Sequence, residues 1–188
     1  MKTSTKILIG IGVFVLICAI SLISTYNELV GNSENVDNKY AIIETDIQRR
    51  ADLIPNLVNT VKVYASHEEN IFTDIADARS ELLGAKSPED LANANQKTTS
   101  LLGRLLAITE AYPELKANEN FINLQDELAG TENRIAVSRK DYNDSVKEYN
   151  SKIKKFPTIM FASMFGFDEA EYFVASEDSK DVPDVNFE

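Results

Sequence analysis

Tryptophan is absent, and cysteine and histidine occur once each, as Cys18 and His67. A single cysteine excludes an internal disulfide and a thiolate cluster for a metal, and it leaves the redox compartment undetermined. A single histidine excludes the zinc motif H-E-x-x-H, because Glu68 follows His67 but Ile71 stands where the second histidine belongs. Glycine and proline are scarce, with seven and five in 188 residues, while Ala, Leu, Glu, Lys, Asn and Asp fill most positions. That mixture predicts an all-α chain. Basic residues are also in short supply, 19 Lys and Arg against 30 Asp and Glu, for a net charge of −11. Such an acidic surface excludes nucleic acid as a general partner and gives no broad attraction to anionic headgroups.

What is present is strongly patterned. Ile7 to Ile23 is an unbroken run of Ile, Leu, Val, Phe, Gly, Ala, Cys and Ser, and no acidic residue precedes Glu28. A helix needs about 17 to 25 such residues to cross the hydrocarbon core, so residues 7–25 are expected to form a transmembrane helix. Tyr26 supplies an aromatic at its far edge. Lys2 and Lys6 precede the run and only Lys39 lies close after it, which predicts a short cytoplasmic N-terminus at 1–6 and the rest outside the cytoplasm. A retained anchor is preferred to a cleaved signal peptide because no clear A-x-A site follows the run. Acylation of Cys18 is disfavoured by Ile17, where a small residue is wanted.

Beyond the anchor the apolar residues follow helical steps. Val36, Tyr40, Ile43, Ile47, Ala51, Ile54, Val58, Val61, Ala65, Phe72 and Ile75 recur mostly every three or four positions, which predicts a long helix ending near Leu83 at Gly84. Pro55 interrupts that stripe without changing its phase, so a kink is expected there, or a break into two helices. Ser87-Pro88-Glu89-Asp90 reads as an N-cap with proline at the first helical position; Leu91, Ala94, Leu101, Leu102, Leu105 and Ile108 give the helix it opens an apolar face, stopped by Tyr112-Pro113. A third helix carries Phe121, Leu124, Leu128, Thr131, Ile135, Ser138, Tyr142, Val146, Tyr149, Ile153 and Phe156 close to a seven-residue repeat, and Pro157 ends it. Short connections predict an elongated antiparallel up-and-down bundle at 26–175, with three long helices, or four if the first breaks at Pro55. Five of the nine phenylalanines lie between Phe156 and Phe173, in an aromatic segment at 156–174, and 176–188 is expected to be a disordered acidic tail.

R-R-A-D-L-I-P-N-L-V from Arg49 to Val58, V-K-V-Y-A-S-H-E from Val61 to Glu68 and L-Q-D-E-L-A-G-T-E-N-R-I from Leu124 to Ile135 together resemble the LemA family. Arg139, Tyr142-Asn143, Tyr149-Asn150, Phe156-Pro157 and Gly166-Phe167 extend the likeness over nearly the whole chain except the acidic tail. The resemblance implies a helical bundle on a bacterial membrane anchor, and the family has no settled biochemical activity. In some bacteria, genes of this family neighbour those for TPM-domain proteins or a membrane metalloprotease, an association that implies envelope partners.

The densest polar motif is Arg49, Arg50 and Asp52 with Pro55, Asn56 and Asn59. It is read as a ligand or partner groove, or as a structural frame in which the arginines pair with Glu127 or Glu132 while Asn56 and Asn59 satisfy carbonyls freed by Pro55. His67 and Glu68 lack the further ligands or nucleophile that metal binding or catalysis needs, so His67 is expected to cap or line the bundle. Gly130 in the stretch containing Arg134 cannot by itself make a phosphate loop, and Asp141, Asp144 and Glu148 read as a solvated face. Arg134, Arg139, Tyr142 and Asn143 complete the polar set. Phe161, Met164, Phe165 and Phe167 form a candidate partner or membrane surface, with packing over the open end of the bundle as the structural alternative.

The expected function is that of a non-enzymatic binding or self-assembling scaffold in the bacterial cytoplasmic membrane, without cofactor or metal and with homo-oligomers among its possible assemblies. An enzyme built on Arg49 to Asn59, or a lipid-binding protein acting through the aromatic segment, is the alternative.

Overall fold

The structure is a computed structural model and describes residues 3–174. Its described residues form five helices, α1 (Thr3–Lys62), α2 (Glu69–Gly84), α3 (Pro88–Thr109), α4 (Pro113–Lys116) and α5 (Glu119–Ile153), followed by 3-10 turns at Thr158–Met160 and Ser163–Phe165. No strand occurs among them. The tail expected at 176–188 lies outside the described residues.

Two expectations are corrected. The apolar N-terminal stretch and the first bundle helix form one helix, α1, and that helix ends at Lys62 and not near Leu83. Pro55 sits inside α1, and the break comes later, at residues 63–68, where neither glycine nor proline occurs. Backbone bonds from Tyr64 and Ala65 to the Val61 carbonyl close that turn. Ala65 is fully buried within it, so the apolar stripe keeps its phase across the break. The third long helix, α5, likewise ends at Ile153, three residues before Phe156.

Among the described residues the contacts gather in two compact units, one within 3–38 and 144–170, the other within 39–143 and 171–174. In the second unit Ile54, Leu57 and Val61 of α1, Ile71, Phe72 and Ile75 of α2, Leu101 and Leu105 of α3, Leu115 of α4 and Phe121 of α5 share one core. Burial of such side chains, each contributing about 1.5–3 kcal/mol, holds these helices together. Caps fix where two of them begin. The Ser87 side chain accepts from the Asp90 backbone N–H with Pro88 in the first turn of α3, and Asn118 Oδ1 accepts from the Phe121 N–H at the start of α5.

In the first unit, Lys152 of α5 contacts Glu28 of α1 at 2.8 Å and donates to Asn32 Oδ1 at 3.2 Å. Asn150 clasps Ala170 through both backbone groups, accepting from its N–H and donating to its carbonyl, each at 2.9 Å. Gly166, at φ 80°, makes the left-handed turn that leads into this extended stretch.

Candidate functional site

The polar motif of α1 divides into three parts with different fates. Arg50 is 3% exposed; its Nη1 donates to Asn95 Oδ1 at 2.7 Å and its Nη2 to Thr99 Oγ1 at 3.0 Å, both on α3. Glu132 of α5 lies 2.5 Å from Nη1 as an ion pair without hydrogen-bond alignment, and the buried Nε–H has no hydrogen-bond partner among the described residues. Burial lowers the Arg50 pKa from its ordinary range, and the Glu132 charge opposes that fall. Arg49 is exposed and bridges to Glu127 at 2.8 Å. Both arginines are thus occupied by the facing carboxylates.

Asp52 accepts from Gln48 at 2.9 Å and lies 3.8 Å from Arg79 of α2. Arg79 Nε also donates to the carbonyl of Ala51 at 2.7 Å. That carbonyl is the one that Pro55, four residues on, cannot satisfy. The expectation that Asn56 and Asn59 serve the freed carbonyls is therefore corrected. Both asparagines are exposed and line an open groove of about 480 Å³ with Asn120, Asn123, Leu124 and Glu127. A second groove, of about 460 Å³, lies beside Arg50 and is walled by Leu57, Leu102, Leu106 and Leu128.

The remaining candidates are dispersed. His67 is exposed in the 63–68 turn and does not line the bundle, while Glu68 precedes α2 without a side-chain cap. Among the described residues no group of three His, Cys, Asp or Glu is placed to hold a metal ion. Arg134 donates to Thr131 Oγ1 at 3.1 Å and lies 3.8 Å from Asp46, which accepts from Ser138 at 2.6 Å; Arg139 is exposed on α5. In the second unit Tyr142 and Asn143 hold the extended chain: Tyr142 donates to the Glu171 carbonyl at 2.7 Å, and Asn143 exchanges bonds with the N–H and carbonyl of Phe173. Phe161 and Phe167 are half-buried, whereas Met164 and Phe165 are exposed.

Sequence reasoning missed Asn95, Thr99, Arg79 and Asn150. Asn95 and Thr99 stand four apart in α3, and a polar pair at that spacing beside an apolar stripe is the signal that marks them. Asn150 repeats Asn143 after seven residues, each following a tyrosine.

A sequence profile of the LemA family matches residues 39–187. The chain belongs to the LemA family. The family match takes in the acidic tail, which the motifs quoted above had left out, and it begins beyond the apolar end of α1. Relatives include Magnetosome protein MamQ 2 of Paramagnetospirillum magneticum, 30% identical over 81% of this chain and 66% of its own length. Magnetosome protein MamQ of Magnetospirillum gryphiswaldense is 29% identical over 89% of this chain and 72% of its own. Protein LemA of Metamycoplasma hominis is 26% identical over 80% and 69%. The chain thus spans just under two thirds of the length of the Paramagnetospirillum relative.

Proposed function

We propose that this LemA-family chain is a membrane-anchored, non-enzymatic bundle that binds other envelope proteins or further copies of itself. The observation that carries the reading is the two-part character of α1. Its first part presents Leu8, Phe14 and Ile17 with 60% or more of each exposed, while its later part supplies Ile43, Ile47 and Ile54 to the core. A core helix of a soluble domain buries its apolar residues; one left uncovered over this length suits lipid. The lysine bias, Lys2 and Lys6 before the apolar run against Lys39 after it, supports an N-terminus in the cytoplasm and a bundle outside it.

The non-enzymatic part of the reading is supported by the arginines. Arg50 is held by three side chains and Arg49 by one, so both guanidinium groups already have protein partners. TPM-domain proteins or a membrane metalloprotease are candidate partners through family association.

The test is a photoreactive residue at Val137, exposed on α5, introduced into the full chain in its native membrane. Crosslinks to a distinct protein support a binding module, and crosslinks to the same chain support self-assembly. A chain that carbonate washing releases from the membrane, or that forms neither crosslink, overturns the reading.

A further inference from the structure

We infer that the segment from Phe156 to Phe167 is a hydrophobic foot that enters the interfacial layer of the membrane that α1 crosses. The inference rests on the reading of α1 as a spanning helix, and it assigns the apolar side chains that follow α5 to the lipid surface.

Position is the first argument. The apolar run of α1 ends at Ile23. At 1.5 Å of rise per residue, Tyr26 lies about 4.5 Å beyond it and Glu28 about 7.5 Å beyond it. The last turn of α5 meets α1 at Glu28, through Lys152. The chain after α5 then brings Phe165 and Phe167 edge-on to Tyr26, with ring centroids 5.4 and 5.7 Å away. It therefore leads from the level of Glu28 back toward the end of the apolar run, into the zone where aromatic side chains favour the membrane–water boundary.

Exposure is the second argument. Phe156 is 79% exposed, Met164 68%, Met160 63%, Ile159 55% and Phe165 44%. Five large apolar side chains within ten residues, uncovered by their own unit, are costly in water. Continuity with the uncovered apolar stretch of α1 favours lipid as what covers them. Lys155 is exposed beside Phe156 and Lys154 is paired with Glu169, so cationic heads flank the foot where their stems can lie along the boundary.

The absence of tryptophan provides the test. Single Met164→Trp and Phe156→Trp variants of the full chain are reconstituted in phosphatidylcholine and phosphatidylglycerol vesicles, with Phe14→Trp and Val137→Trp as references. The expected result is blue-shifted emission from both foot variants, lost when the lipid carries bromine at shallow acyl positions, with Phe14→Trp quenched by deep bromine and Val137→Trp by neither. If Phe14→Trp is quenched and the foot variants are not, the foot is overturned while the span stands. Blue-shifted foot emission that no brominated lipid quenches assigns the cover to a second copy of the chain and likewise overturns it. An unquenched Phe14→Trp overturns the span and the foot together, and Val137→Trp quenched as strongly as the foot variants removes the foot's special place.

Discussion

Arg79 donates its Nε–H to the carbonyl of Ala51 at 2.7 Å, across from one helix to the next. Proline inside a helix withholds the bond that its amide would give four residues back, at a cost of about 3 kcal/mol. Here the deprived carbonyl is that of Ala51, whose residue is fully buried, so water is not its partner. A guanidinium bond to a carbonyl is charge-assisted, contributes about 1.5–3 kcal/mol and offsets much of that cost. Pro55 and Arg79 are thus one device divided between α1 and α2.

Replacing Arg79 by methionine leaves the Ala51 carbonyl without a donor and is expected to destabilise the protein by about 1–3 kcal/mol. In the Pro55→Ala background a backbone N–H returns to position 55 and the same replacement costs much less. A double-mutant cycle on the detergent-solubilised full chain, read by thermal unfolding, measures the coupling. Additive effects would separate the two residues.

Arg50 gives a second test of the frame. Glu132→Gln leaves the buried guanidinium without its counter-charge, at a cost of about 3 kcal/mol, the low end of the range for breaking a buried pair because Glu132 is 43% exposed. Arg50→Met combined with Glu132→Leu removes both charges and is expected to recover most of that stability. Chemical denaturation of the three proteins decides it. A double variant as weak as Glu132→Gln would mean that Asn95 and Thr99 need the guanidinium more than the pair does.

These bonds show how far the sequence reads. The stripe on α5 from Phe121 to Ile153 and the cap at Ser87 are local patterns, and the structure places them as periodicity and capping chemistry require. The break at residues 63–68 was hidden because Ala65 stays buried and the stripe stays in phase. Pairing of Arg49 and Arg50 with Glu127 or Glu132 was legible, but not that Arg50 is the buried one and takes Glu132. Arg79 was not, because its acceptor is a backbone carbonyl whose need arises only from Pro55. The exposure of Phe156 and Met164 was also not legible: an aromatic cluster reads the same in sequence whether protein or lipid covers it.

The paired backbone bonds at Asn143 and Asn150 predict local protection. In hydrogen exchange the amides of Phe173 and Ala170 are expected to be slow, because each donates to an asparagine Oδ1 at 2.9 Å. Asn143→Leu is expected to release the Phe173 amide, and Asn150→Leu the Ala170 amide, each by about one to two hydrogen bonds' worth of stability, or about 1–2 kcal/mol. Unchanged exchange in either variant would show that packing alone holds the stretch.

Stability should fall as pH rises past about 10, and the sign follows from three groups. Burial raises the Tyr40 pKa above its ordinary 10.0, with Glu44, Asp90 and Glu171 adding to it. Burial raises that of Tyr149 too, with Asp168 and Asp37 adding and the Ser33 bond opposing. The bond to Glu28 raises Lys152 above 10.5, helped by Glu148 and opposed by desolvation. Each group holds its proton more tightly in the folded chain than in the unfolded one. Their contribution is therefore complete below the unfolded values and is lost as pH climbs through the folded ones. Arg50 has the opposite sign, since burial lowers its pKa and the Glu132 charge only partly opposes that. Thermal melts between about pH 8 and 11.5 are expected to run flat and then decline. Tyr40→Phe and Tyr149→Phe each remove one phenol that ionises more readily in the unfolded chain, so each should make the decline shallower. A decline of unchanged slope in both variants would assign it to Lys152.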